Sequence, residues 1–360
     1  MKRIAIVSTV GLMYDGITSV ILSYLEAMNL SDLEVYVIAT IRKEEQIVKR
    51  LEKKGCIIVD LPSRSSNTFK YFKELTSFLR KEKIDVIHAH GNSSTLSIEL
   101  LAGLLSGCKK RIAHSHNTTC NHLVIDKILH PLFNYLYTDA LACGEKAGKW
   151  MFKNKTFSIL KNGRDIEKYA FNEKTRCLMR EKLNIQNKFV VAHVGGFNIQ
   201  KNHKFLIKIF REILKIKPNS TLILIGDGPL KKDIEKEVED INSNILFLGL
   251  VDNVQDYLQA MDAMILPSLY EGLPLVAIEW QINGLPCLLS DTITRECGFS
   301  TNTEFLSLNE DPKKWADSII EITKKTDRFS SSKVSSKKIT DEGFNIKKCA
   351  KILKNIYQQE

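Results

Sequence analysis

The sequence predicts an α/β protein built as two doubly wound, parallel-sheet domains. Three observations predict it. Short β-branched apolar runs recur along the chain, amphipathic helical patterns separate them, and the alternation restarts once, at FVVAHVG (189–195). Strands that read as near-continuous apolar runs are buried on both faces of a parallel sheet, and the helices between them are the crossovers such a sheet needs. A chain of 360 residues also exceeds one ordinary core, so two domains are the natural prior.

In chain order, IAIVSTV, VYVIAT, CIIVDL, DVIHAH, RIAHSH and ALAC read as the strands of the first half. ITSVILSYLEAM, residues 66–83, SSTLSIELLAGLLSG and DKILHPLFNYLY read as its helices. SILKNG closes that half, and the boundary falls near Asn162–Lys168. The second half continues with the helix NHKFLIKIFREILKIKP and the strands TLILIG, ILFLGL, AMILPS and PCLLSD. Helices are expected at 230–241, 254–261 and 274–283. The Ser-Lys-rich stretch RFSSSKVSSKK (328–338) reads as an exposed connection, and NIKKCAKILKNIYQQE as a closing amphipathic helix. The expected division is therefore a Rossmann-like domain over 1–165, a second over 166–340 and a terminal helix over 341–360. Ligands of such sheets sit beyond the carboxyl ends of the strands, in this case in a cleft between the two domains.

Composition narrows the function classes. No stretch approaches the roughly 20 apolar residues of a bilayer span, and the opening MKRIAIVSTV reads as a buried first strand rather than a secretory signal. Eight scattered cysteines without a CxxC pair read as reduced, buried thiols in a cytoplasmic chain. Residues 1–165 carry 24 Lys+Arg against 16 Asp+Glu, a net +8 of the chain's +10. Much of this excess lies between Arg42 and Lys83. It suggests peripheral contact of the first domain with an anionic membrane, or simply a solvated face. Nucleic acid is disfavoured because the basic residues are not interleaved with stacking aromatics.

The strongest motif is EGLPLVAIE, with Glu271 and Glu279 eight positions apart, between a strand and a helix. Gly272 permits close approach of a ligand, and the free amides of the helix start can face an anion. Two acceptors at this spacing can bridge a sugar hydroxyl and a ribose hydroxyl of one nucleotide sugar. His88 with His90 and His114 with His116, near Cys120 and His122, invite a metal reading. Alternation along buried strands produces such pairs without one, and there is no HExxH, so no metal is expected. GDGPL lacks the Lys-Ser/Thr ending of a P-loop, and no full GxGxxG follows the first strand, which disfavours NTP hydrolysis and dinucleotide redox chemistry.

HVGGF…QKNH (193–203), LIGDGPL (224–230) and LPSLYEGLPLVAIE (266–279) together resemble the donor domain of the retaining GT-B glycosyltransferases of family four, of the capsular and exopolysaccharide type. RIAHSHNT, ACGEKAGKWMF and ILKNG resemble the same family in the first half. The resemblance implies a GT-B fold, with an acceptor domain followed by a donor domain. It implies transfer of a hexose, with retention and without a metal or other cofactor, from a nucleotide-diphosphate sugar, UDP-linked, to a glycan or lipid-linked acceptor. In that reading Glu279 binds the ribose and Glu271 the donor sugar. Backbone around Leu273, Pro274, Leu275 and Val276 meets the diphosphate or sugar, Lys201 neutralises the diphosphate, and Gly226 and Gly228 flank the nucleotide. His116 lies near the anomeric carbon, and Gly16 marks a loop near donor and acceptor. One departure stands out: the family's Val-Gly-Arg is Val194-Gly195-Gly196. The missing arginine leaves Lys201 alone, with Arg164 as a candidate substitute. Two rivals follow, a sugar-nucleotide epimerase on the same scaffold and a catalytically weak donor-binding subunit.

Overall fold

The computed structural model describes all residues except 41, 42, 121 and 360. Arg42, at the start of the basic stretch, is therefore outside the described residues. The chain divides into two compact units, Met1–Gly163 with Gly343–Glu360, and Arg164–Glu342.

The first unit runs β1 (Lys2–Ser8), α1 (Gly16–Ala27), β2 (Leu33–Ala39), α2 (Glu45–Lys53), β3 (Ile57–Asp60), α3 (Thr68–Lys81), β4 (Val86–Gly91), α4 (Ser97–Ser106), β5 (Lys110–Ser115), α5 (Leu123–Leu136), β6 (Asp139–Ala142), α6 (Glu145–Phe152) and β7 (Ser158–Ile159). Its sheet is parallel, in the order β3-β2-β1-β4-β5-β6-β7. Ala5 and Val7 face α3 through Tyr71, Leu75 and Leu79. A second core, around Ala89 and Ala113, packs Leu100, Phe133 and Phe152.

The second unit runs α7 (Ile166–Tyr169), α8 (Glu173–Lys182), β8 (Phe189–Val194), α9 (His203–Ile216), β9 (Ser220–Ile225), α10 (Lys231–Glu237), β10 (Ile245–Gly249), α11 (Val254–Ala260), β11 (Ala263–Leu266), α12 (Leu275–Ile282), β12 (Cys287–Ser290), β13 (Thr303–Leu306), α13 (Pro312–Lys325) and α14 (Arg328–Asp341). The order β10-β9-β8-β11-β12-β13 repeats the doubly wound pattern. Alternation along β8 splits the core as buried parallel strands should. Val191 joins Phe197, Leu206, Phe210 and Trp315 on one face, while Val190, Ala192 and Val194 join Leu258 and Trp280 on the other. α15 (Ile346–Gln358) then returns to the first unit, against α1. There the Tyr357 hydroxyl meets His88 Nδ1 at 2.7 Å.

Three readings of the sequence need correction. Residues 328–338 are not a connection but most of α14, capped by Asp327. Its serines are small because the helix lies tight on its neighbours: Ser332 Oγ donates to Ile282 O at 2.6 Å, and a Cβ on Gly284 would lie 2.3 Å from Arg328 O. Stretches without an expected element hold α7, α8, β13 and α13. The basic stretch is also less of an unspent surface than its composition suggests. Lys43 pairs with Asp60, Lys49 with Glu45, Arg50 with Glu26, and Arg64 with the buried Glu99.

None of the eight cysteines is paired, and Cys56, Cys108, Cys287, Cys297 and Cys349 are buried as small apolar side chains. No described helix is long and apolar enough to cross a membrane.

Candidate functional site

Strand order reverses direction between β8 and β11, and at such a switch point the loops after both strands diverge and leave a crevice. The two loops that leave this point carry the second unit's strongest sequence motifs. After β8, residues 195–202 turn through a 3-10 segment, Ile199–Lys201, capped by Asn198 Oδ1 at 3.1 Å from Lys201 N. After β11, residues 267–274 lead to α12, whose first residue follows the buried Pro274 and whose start has no side-chain cap. Its first amides are the kind of donors that attract an anion.

Lys201 and Glu271 meet between these loops. Lys201 Nζ lies 2.6 Å from Glu271 Oε1, which also accepts from Ser268 Oγ at 2.8 Å. Gln200 Nε2 donates to Glu271 Oε2 at 3.1 Å and to Tyr270 O. Both side chains are largely buried, so the pair has reduced solvent screening. Gly195 makes room for it: a Cβ there would lie 3.1 Å from Lys201 Cε.

Glu279 is the fifth residue of α12, little more than one turn from the helix start. Its carboxylate pairs with Arg164 Nε at 2.8 Å, and both groups are buried. Burial pushes the Glu279 carboxyl above the usual carboxylate range, while Arg164 and then the Tyr169 hydrogen bond pull it back. This corrects the expectation that Arg164 replaces the missing arginine: its guanidinium is held by Glu279.

The glycines separate into two kinds. Gly226 has φ of 142° and Gly228 of 158°. A Cβ on Gly226 would stand 2.1 Å from Gly195 O, and on Gly228 2.6 Å from Phe197 O. Both are required because the 226–230 loop is stitched to the 195–197 loop, with Phe197 N donating to Asp227 O and Leu230 N to Phe197 O. Gly16 and Gly272 have open space around the missing Cβ, and neither has a positive φ. Gly196 has only ordinary contacts there, at 3.4 Å or more, so its backbone does not demand glycine. Leu273 and Val276 lean on the core face around Leu258 and Trp280, and Leu275 opens α12.

In the first unit, Gly16 begins α1 behind its cap Asp15, after β1. His116 follows β5, its amide donating to Asn92 Oδ1 at 3.2 Å. The parallel register puts His90 opposite His114, and the rings of His88, His90, His114 and His116 stack as a ladder. His90 Nδ1 lies 2.9 Å from His116 Nε2, and His88 Nε2 lies 3.2 Å from His114 Nδ1. Burial lowers the His116 pKa to about 3 and holds the other three well below the usual imidazole range. The ladder is therefore neutral near pH 7. Ring nitrogens of His88, His90 and His114 lie within 4.8 Å of one another; His88 Nδ1 bonds Tyr357, His88 Nε2 bonds His114 Nδ1 and His90 Nδ1 bonds His116, while His114 Nε2 is buried without a hydrogen-bond partner among the described residues. Cys120 and His122 are outside that group.

Sequence reasoning missed Gln200 and Ser268 as holders of Glu271, Arg164 as the partner of Glu279, and His90 as the partner of His116. Only the register of neighbouring strands and the meeting of distant loops expose these pairings.

The sequence of residues 188–325, inside the second unit, matches the family described as glycosyl transferases group 1. The glycosyltransferase EpsF of Bacillus subtilis strain 168 is 33% identical over 271 residues, covering 71% of this chain and 70% of that protein. The UDP-Gal:alpha-D-GlcNAc-diphosphoundecaprenol alpha-1,3-galactosyltransferase of Escherichia coli is 28% identical over 315 residues, covering 82% and 81%. Among solved structures, Anabaena HepE in complex with UDP and glucose has a TM-score of 0.79 at 17% identity, with 99% and 100% of the two chains covered. That likeness shows the fold. The chain belongs to the group 1 glycosyl transferases and is a GT-B glycosyltransferase of the family-four type.

Proposed function

We propose that the chain moves a hexose from a UDP-sugar, with retention of anomeric configuration, to a glycan or lipid-linked acceptor of surface or exopolysaccharide synthesis. The observation that carries this reading is the Lys201–Glu271 pair set beside the uncapped start of α12, with Glu279 a turn further along. A departing nucleoside diphosphate gains negative charge in the transition state, and a lysine with helix amides aimed there lowers the barrier. Glu271 serves the sugar hydroxyls and Glu279 the ribose. The first unit serves as acceptor domain, and the second binds the donor.

No carboxylate nucleophile is assigned, so the implied step is a front-face displacement. The bond from the anomeric carbon to the phosphate oxygen breaks, the acceptor oxygen bonds to that carbon on the same face, and the acceptor proton passes to the leaving phosphate. His116, kept neutral, offers a hydrogen bond to the transferring sugar. Lys201 and the amides supply the positive charge that a divalent metal supplies elsewhere, and activity is expected to persist in chelator.

The lipid-linked diphosphate acceptor and UDP donor in the name of the Escherichia coli relative, and the UDP held by HepE, support the substrate class. The transferase names of the relatives do not favour the epimerase. Gly196 keeps one second reading in view, a subunit that binds donor without turning it over.

The test is a panel of nucleotide sugars scored for thermal stabilisation and slow nucleotide release, on wild type and Glu279→Ala. One donor should stabilise the wild type and release UDP, with both effects lost in the variant. No stabilisation by any nucleotide sugar at millimolar concentration would overturn the donor assignment; binding without release, with acceptor supplied, would favour the second reading.

A further inference from the structure

His90 and His116 meet edge to edge between two neighbouring strands. The register sets His90 opposite His114, and His116, further along the same face of β5, reaches back to His90. Their ring planes are 13° apart, with centroids separated by 5.1 Å and His90 Nδ1 lying 2.9 Å from His116 Nε2. Nitrogens so much closer than the centroids put the contact in the ring planes, which is the geometry of an N–H···N bond. Both rings are hemmed in. His90 is 2% exposed and stacks on His88 with centroids 4.0 Å apart, and His116 stacks on His114 at 4.2 Å.

Burial keeps both rings neutral near pH 7, so the pair carries two N–H protons on four nitrogens. One proton lies in the shared bond. If His90 donates it, the second proton is on His116 Nδ1. If His116 donates it, the second proton is on His90 Nε2. The surroundings decide between the two. His116 Nδ1 is buried with no hydrogen-bond partner among the described residues, whereas His90 Nε2 is not in that condition. A buried N–H left unpaired is costlier than an unpaired lone pair. The protons therefore belong on His116 Nε2 and His90 Nε2.

We propose that His90 is a positioning residue: it accepts the Nε2 proton of His116 and thereby leaves His116 Nδ1 as a bare acceptor for a hydroxyl of the transferring sugar. The inference rests on the reading of His116 given above and adds the direction of its hydrogen bond. A hydroxyl that donates to a neutral nitrogen gains electron density at its oxygen. That favours the positive charge that develops at the anomeric carbon as the phosphate departs, whereas an N–H aimed at the same oxygen opposes it. The sugar also supplies the partner that the protein leaves open at that atom.

Long-range proton–nitrogen correlation spectra of the isotope-labelled full chain read the tautomers directly. In wild type at neutral pH, His90 and His116 should both carry the proton on Nε2. His90→Asn puts an amide oxygen in reach of His116 Nε2 and should keep that tautomer of His116. His90→Leu fills the same space without an acceptor, and His116 should shift toward the Nδ1–H form. Its kcat for UDP release from donor should fall about tenfold below that of His90→Asn, with little change in KM. Wild-type His116 protonated on Nδ1 overturns the proposal. So do equal losses in the Asn and Leu variants, the mark of a merely structural role, and a His90→Leu that turns over like wild type. If His90→Leu does not fold, the wild-type and His90→Asn spectra still decide. A wild type that no donor stabilises overturns the donor reading and the sugar contact with it, and is told apart because the spectra need no donor.

Discussion

Arg164 Nε lies 2.8 Å from Glu279 Oε1, with both groups buried in the second unit. Arg164 is the first residue of that unit, so the carboxylate proposed for the ribose is held by the residue at which the chain enters the unit. Removing one partner of a buried pair leaves an uncompensated charge. Arg164→Met is therefore expected to destabilise the protein by about 3–5 kcal/mol, measured by urea unfolding. Loss of Arg164 also lets burial raise the Glu279 carboxyl further, so nucleotide affinity should fall in calorimetry even under conditions where the variant stays folded.

Lys201→Ala removes the cation that faces the proposed leaving group. Turnover is expected to drop roughly 100- to 1,000-fold, with donor affinity less affected, read from kcat and KM separately. A raised KM with kcat unchanged would place Lys201 in ground-state binding instead.

The two kinds of glycine give opposite expectations. Gly226→Ala forces a Cβ against Gly195 O at a positive φ, and should cost about 1–3 kcal/mol in thermal unfolding. Gly272→Ala meets open space and an ordinary φ, so its melting should be unchanged. Any loss of activity in Gly272→Ala then reports contact with the donor rather than misfolding.

Gly196→Arg restores the guanidinium that the resemblance leads one to expect, at a position whose backbone accepts a side chain. A charge-assisted pair with the diphosphate should raise kcat/KM for donor about tenfold. A variant with unchanged kinetics and unchanged stability would show that this enzyme's diphosphate lies out of reach of position 196.

The histidine ladder makes stability depend on pH in a definite direction. His116 is neutral in the folded chain down to about pH 3, whereas an exposed histidine takes its proton near 6.5. Its folded-state pKa is depressed, so its contribution is present above 6.5 and is lost as pH falls through the window toward 3. Within that window each such histidine steepens the loss by up to about 1.4 kcal/mol per pH unit. Urea midpoints measured from pH 7 to pH 4 should fall steeply in the wild type and less steeply in His90→Gln and His116→Gln.

Much of the fold is set by local pattern, and the residues that carry it are visible without a structure. Buried parallel strands such as Phe189–Val194 and Ser220–Ile225 read as apolar runs because both of their faces are covered, and the helices between them show their period directly. The Glu271–Glu279 motif was legible for the same reason, as a short segment with strand, loop and helix in sequence. α14 was not, because its Ser-rich composition looks like a loop until α12 and Gly284 are beside it.

The partners of the site lie on a different link of the chain from sequence to function. Lys201 and Glu271 are seventy positions apart, and Arg164 and Glu279 still further. They meet because sheet order reverses between β8 and β11 and because α12 packs beside α7. The unpartnered nitrogens of His114 and His116 are likewise invisible in a sequence, where all eight histidines look alike. Burial is a property of what the rest of the chain covers. The sequence alone determined which segments are strands or helices and which groups can do chemistry, since both follow from local spacing. Tertiary structure alone decided which charge is held by which partner, and which ring nitrogen is left without one, because both depend on contacts between segments far apart in sequence.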